Sequence, residues 1–305
     1  MNGVLILNKP EGITSSKILI RVKKLLNIKK AGHTGTLDPF ATGVLPICLN
    51  EATKVIPYLG EEVKEYTGTI ELGVSTDTYD RTGKIIQKNE FGKIKESDIL
   101  ECFCNYKGNI KQVPPMYSAI KRGGVKLYSL ARKGIDVERK LKDIRIEELE
   151  LLGYTPPHIK FYVKCSKGTY IRSLSNDIGI ELGCGGHLSE LDRISSGQFS
   201  IDNSYTFEDI ENSNFKIIEL SRLVKHIKSI DVNDRVAAII RDGKKILKLY
   251  FSDVSFPSID KSEILVVKNN NNLMAITETI ISSAEIEKAD ENEVILKVLR
   301  VININ

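Results

Sequence analysis

The chain has 305 residues, 41% apolar and 28% charged, with 44 basic and 40 acidic side chains and a formal net charge of +4. It is too apolar for a disordered chain and long enough for one full core plus a small second domain. Five cysteines without a CxxC pair exclude a disulfide framework and zinc-finger spacing, and no apolar run approaches the roughly 18 residues of a membrane helix. The expectation is therefore reduced thiols in a cytoplasmic protein with no signal peptide and no membrane span.

Val4 to Leu7 reads as a buried strand, and Asn8 to Gly12 as a turn. Thr14 or Ser15 can cap a helix over 16–27, in which Ile18, Leu19, Val22, Leu25 and Leu26 form one apolar stripe. The run 31–45, AGHTGTLDPFATGVL, follows. Its glycines and threonines predict a tight loop around one His33 and one Asp38, able to aim an acid at a ligand. A buried strand over 44–49, a helix over 52–59 and a strand over 65–72 come next, then a polar loop at 73–83 dense in hydrogen-bond acceptors. Ser97 can cap a helix running to about Tyr106.

Residues 107–142 are irregular. Between Lys121 and Arg145 lie nine basic and three acidic side chains, interleaved with Tyr128 and glycines. Basic residues mixed with aromatics suit contact with a nucleic acid. Strands are predicted over 144–152 and 159–165, a helix through Ile171, Leu174, Ile178 and Leu182, and a turn-bounded element at 192–197. One or two short helices fall in 207–223. Strand candidates at 246–250, 264–267, 273–276 and 294–299 then make a small β-rich domain of about 75 residues. Strands and helices interleave without even βα spacing, which favours an α+β or mixed core over a doubly wound one. Up to residue 227 there are 33 basic and 28 acidic side chains, so the positive excess lies in the first part of the chain, where a polyanion is a reasonable partner.

No GxxxxGK[ST] loop, no GxGxxG after a strand and no HExxH is present, and the four histidines are scattered. Asp77 and Asp80 offer oxygen ligands of the kind magnesium takes, but Arg81 beside them favours an orienting loop. By spacing alone Asp38 and His33 stay open to a triad, a metal site or an RNA site. The remaining candidates form a constellation: Tyr66 at a strand start, Asp80 in its polar loop, and Tyr170 with Arg172 after Ser166-Lys167-Gly168-Thr169.

Six strings occur in order: GVLILNKPEGITS (3–15), GHTGTLDPFATGVL (32–45), KEYTGTIELGVSTDTYD (64–80), QVPPMYSAIK (112–121), CSKGTYIRSL (165–174) and GHLSELDR (186–193). In them the chain resembles the bacterial tRNA pseudouridine-55 synthases, the TruB type. The resemblance implies an α+β fold: a pseudouridine synthase core (1–228) with a mixed, mainly antiparallel sheet flanked by helices, and a basic thumb-like insertion at about 107–145. A small PUA-like RNA-binding domain (229–305) would follow. It implies isomerisation of uridine 55 in the T arm of tRNA, without cofactor or metal, by a monomer with no obligate protein partner. Asp38 matches the essential aspartate, Tyr66 the tyrosine that stacks on the base and can act as base, and Tyr170 a packing tyrosine. Arg172 matches the arginine that pairs with the aspartate. For substrate binding, His33 matches a support of the flipped RNA loop, Asp80 a contact to the flipped nucleotide, Lys9 part of a supporting motif, and Leu191 an apolar wall of the uracil pocket.

Overall fold

The computed structural model describes residues 1–60, 63–90, 92–251 and 254–303. Along the chain come β1 (Gly3–Lys9), α1 (Ser15–Leu25), β2 (Ala31–His33), β3 (Thr42–Leu49), β4 (Lys64–Leu72), the hairpin β5 (Val74–Thr76) and β6 (Ile85–Lys88), and α2 (Glu96–Asn105). Then follow β7 (Gly108–Gln112), the short hairpin β8 (Lys121–Arg122) and β9 (Val125–Lys126), α3 (Leu127–Ala131), β10 (Lys142–Thr155), β11 (His158–Cys165), α4 (Ile171–Glu181), β12 (Gly186–Ser196) and β13 (Phe199–Ser200). Strand order in the central sheet is β1-β3-β12-β4-β11-β10-β7, with β2 added to β3 and β13 to β12. Every pairing in it is antiparallel except β12 with β3, which run parallel where Asp192 meets Thr42 and Arg193 meets Gly43. This junction brings the end of β12 against the exit of the Asp38 loop.

Side-chain period explains the layers. In β11, Ile159, Phe161, Val163 and Cys165 alternate inward. They meet Ile18 and Val22 of α1, Ile99 and Phe103 of α2, and Ile171, Leu174 and Ile178 of α4 in one core. β1 and β3 are buried on both faces, hence their near-continuous apolar runs. Leu5, Leu7, Leu45 and Ile47 face the helices, while Val4, Ile6, Val44 and Cys48 face a second cluster shared with Val266, Leu273, Ile276 and Ile302.

Val266, Leu273 and Ile276 belong to the C-terminal sheet, and Ile302 follows its last strand. β14 (Ser229–Asp231), α7 (Asp234–Arg241, after the short α5, Phe207–Glu211, and α6, Leu220–Leu223), β15 (Ile246–Leu247), β16 (Ile264–Asn269), β17 (Asn272–Thr279), α8 (Ser283–Ile286) and β18 (Val294–Val301) form it, with strand order β14-β16-β17-β18-β15. β16 and β17 turn through Asn270 and Asn271, both at positive φ, the geometry a two-residue hairpin favours. The Lys54 ammonium donates to Val301 O at 2.8 Å, and Asn303 N donates to Glu51 Oε2 at 2.8 Å, fastening this sheet to the first.

Four local expectations differ. The helix predicted over 52–59 is two 3₁₀ segments, Asn50–Lys54 and Ile56–Tyr58; Pro57 has no amide proton to continue an α-helix. Ser97 does not cap α2, because Asp98 takes the Lys95 amide at 2.9 Å and the helix starts two residues earlier, with Lys95 at its cap. Residues 192–196 continue β12, paired on both sides, and the chain turns only at Gly197. Only Ile246 and Leu247 of the strand expected over 246–250 are extended; Lys248–Phe251 is 3₁₀.

Candidate active site

Asp38 lies in a loop tied down from below. The Lys9 ammonium, at the end of β1, donates to the carbonyls of Pro10 (2.9 Å), Pro39 (3.1 Å) and Ala41 (2.6 Å). Burial lowers Lys9 to about 8, with Asp38 and Glu11 pulling the other way. Ser15, just inside α1, accepts from Leu37 N and donates to Leu37 O, both at 3.0 Å, while Thr14 caps the helix through Lys17 N. Beyond Asp38, Gly43 has φ +99, and a Cβ there would strike the backbone of Arg193. Only glycine admits that approach.

From above comes Arg172, on the first turn of α4. Its Nε lies 2.8 Å from Asp38 Oδ2, and its Nη2 donates to Asp38 Oδ1 at 3.1 Å. The same guanidinium donates to Thr78 O (3.0 Å) and Tyr117 O (2.9 Å) and lies 3.4 Å from Asp80 Oδ2. Arg172 is 6% exposed and Asp38 32%, so the guanidinium is anchored inside while the aspartate side chain stays partly open to solvent. Burial raises the Asp38 carboxyl above its ordinary range; Arg172 opposes the rise and Asp80 adds to it.

Two tyrosines share this field. Tyr66, on β4, stands opposite Arg193 of β12. Burial pushes its phenol up to about 12, with the Arg193 guanidinium opposing, so Tyr66 is a neutral hydroxyl at physiological pH and not a ready base. Tyr170 precedes α4, half-buried, its phenol also raised by burial, with Ser118, Arg172 and Asp38 around it. Its backbone is gripped by Gln112, whose side-chain amide accepts from Tyr170 N (2.8 Å) and donates to Tyr170 O (3.0 Å). His33 closes β2 at the loop's entrance; burial, Arg193 and Lys64 all lower its pKa, which keeps the ring neutral. Leu191 and Phe40 line an open cavity of about 380 Å³ with Thr42 and Arg81, beside the loop; Asp38 is not among its walls.

Residues 23–171 match the family model described as TruB family pseudouridylate synthase (N terminal domain), and 172–232 match the tRNA pseudouridylate synthase B C-terminal domain. The tRNA pseudouridine synthase B of Clostridium tetani is 47% identical over 248 residues, 81% of this chain and 86% of the relative. That of Geotalea uraniireducens is 39% identical over 282 residues, 90% of this chain and 91% of the relative. The chain belongs to the TruB family of pseudouridylate synthases. Among solved structures, a Cbf5-Nop10-Gar1 complex contains a similar chain, with a TM-score of 0.71 and 26% identity over 99% of this chain and 85% of that one.

The structure brings Asp38, Arg172, Tyr66 and Tyr170 together and sets two of the expected substrate-binding residues, Asp80 and Lys9, in the frame around them. Asp80 is 5% exposed, and its Oδ1 accepts from Thr78 Oγ1 (2.8 Å), Thr82 N (2.9 Å) and Thr82 Oγ1 (2.6 Å). Its Oδ2 faces the Arg172 guanidinium, so Asp80 braces Arg172 behind Asp38. Lys9 is fully buried beneath the loop and its protons are taken by carbonyls, so it positions Asp38 from behind. Sequence reasoning assigned no role in this TruB-family site to Ser15, Gln112 or Arg193. The signal for Arg193 was parity: it is two residues from Leu191 on one strand, a charge on an inward face. Nothing local marks Gln112.

Proposed function

We propose that this pseudouridine synthase converts uridine 55 in the T arm of tRNA to pseudouridine: the N1–C1′ bond breaks, the uracil turns, C5 bonds to C1′, and the C5 proton is replaced at N1. The observation that carries the chemistry is the two-point contact of Arg172 on Asp38. It orients a carboxylate that stays partly open to solvent and favours its charged form. Tyr66 and Tyr170 supply aromatic faces beside it, and base–aromatic stacking contributes about 1–3 kcal/mol per base. A uridine in a folded loop must leave its stack to reach such a site.

The exposed basic residues of the segment between β7 and β10, among them Lys121, Arg122, Lys126 and Arg132, suit the T-arm backbone. Residues 1–228 would form the catalytic unit, and 229–305 an accessory PUA-like RNA contact. The protein would work as a cytoplasmic monomer without a cofactor.

The test is conversion of an unmodified T stem-loop and of a full tRNA, with and without EDTA, by the intact protein and by Asp38→Asn. Conversion by the intact protein in both conditions is expected, with none by Asp38→Asn and nearly unchanged RNA binding. Full activity in Asp38→Asn would remove Asp38 from the chemistry, and conversion at another uridine would overturn the T-arm assignment.

A further inference from the structure

Arg193 is the largest fully buried side chain in the described protein, and no carboxylate among the described residues pairs with it. Its Nε donates to Val44 O at 2.7 Å and its Nη2 to Gly35 O at 3.2 Å. Gly35 and Val44 bracket the segment that carries Asp38, so one planar fork spans both ends of the catalytic loop. The strand register sets Arg193 directly opposite Tyr66. We propose that Arg193 is a positioning residue for the isomerisation, fixing the two ends of the Asp38 loop and setting the hydroxyl of Tyr66 in one orientation.

The donor inventory supplies the reason. Guanidinium has five N–H groups and no acceptor. Nε and Nη2 are spent on the loop, whereas Nη1 has no well-aligned acceptor within the described protein. Tyr66 stands directly across the strand pair, and the guanidinium charge opposes the rise of its phenol. Towards a group that can only donate, the Tyr66 oxygen can serve only as acceptor. Its own proton is then turned away from Arg193. A buried cation balanced only by carbonyl dipoles is costly, and an apolar side chain of similar volume would pack there more cheaply. What the cation adds is a link between the loop on one side and Tyr66 on the other, which no apolar residue makes. Lysine keeps the charge but has no planar fork to span Val44 O and Gly35 O while facing Tyr66.

The experiment is a double-mutant cycle on single-turnover conversion of an unmodified T stem-loop, using Arg193→Lys and Arg193→Met, each alone and with Tyr66→Phe. RNA affinity and thermal unfolding are measured for each. Arg193→Lys is expected to lower the rate about 100-fold, the scale of a misplaced catalytic group, with RNA affinity changed less than threefold, a bound set by the tenfold-per-1.4 kcal/mol scale. In the Tyr66→Phe background the same change is expected to cost only a few-fold, because its target is gone. Equal losses in both backgrounds would reduce Arg193 to a structural clip and overturn the proposal, as would failure of both Arg193 variants to fold. The inference rests on the isomerase activity, and the two fail separately: no conversion by the intact protein defeats the activity, whereas an active protein with multiplicative losses defeats only Arg193's role.

Discussion

The Asp38 loop and the segment between β7 and β10 are both irregular, both polar and both near the reacting cleft, yet they are built on opposite principles. The loop is held along its length by four buried side chains from other elements: Lys9, Ser15, Arg172 and Arg193. The basic segment is fastened mainly at its base, by Gln112 to Tyr170, Ser173 to Val113 (2.9 Å) and Arg139 to Pro114 (3.2 Å). Beyond that, the β8–β9 turn presents Lys121, Arg122 and Lys126 to solvent. A reacting carboxylate needs fixed geometry, because misplacement costs rate. Charges that meet a phosphate backbone need reach and number more than fixed direction.

Substitutions break this contrast in order of size. Arg172→Ala strips Asp38 of the guanidinium that orients it from α4, and kcat is expected to fall about 100- to 1,000-fold, the scale of losing an oriented charged donor, with RNA affinity retained in a filter-binding assay. Asp80→Asn keeps the shape but loosens Arg172, for an expected loss of about tenfold, roughly one charge-assisted hydrogen bond. Its pH profile sharpens the point. Asp38 must be ionised and its pKa is raised, so activity should fall on the acid side at a pH above the ordinary carboxylate range. Asp80 contributes to that rise, so in Asp80→Asn the acid limb should move to lower pH.

Lys9→Met leaves the carbonyls of Pro10, Pro39 and Ala41 without their donor. It is expected to cost about 1–3 kcal/mol of stability in a denaturant titration and to slow conversion through the loosened loop. The smallest effect is expected from the combined change of Lys121, Arg122 and Lys126 to alanine. Stability and saturated rate should hold, and RNA affinity should fall. The slope of log affinity against log salt should flatten by about 0.7 for each phosphate of single-stranded RNA that the variant no longer neutralises. A fall in saturated rate at full RNA occupancy would show that the segment also shapes the reacting cleft.

Much of this was legible in the chain. Alternation in 159–165 and the Ile18 and Val22 positions of the α1 stripe read correctly, because period follows directly from backbone geometry, whereas Leu25 of that stripe is exposed at the helix end. The glycine- and threonine-rich loop and the Tyr170–Arg172 pair stood out as unusual residues at close spacing. What failed were boundaries and partners. Pro57 stopped an α-helix, and Asp98 displaced Ser97 as the start signal of α2. That Asp80 braces Arg172 was not legible, because the two meet only across the fold.

The sequence by itself determined the secondary-structure periods, the division of charge along the chain and the loop chemistry around Asp38, all of which depend on neighbours within a few residues. Only the tertiary structure decided which way each polar group is spent. Arg172 meets an aspartate 134 positions away, and Arg193 meets a carbonyl 158 positions away. Whether such a group serves as ligand, base or brace depends on burial and on which acceptors surround it. Both are properties of packing between strands and helices that no local pattern encodes.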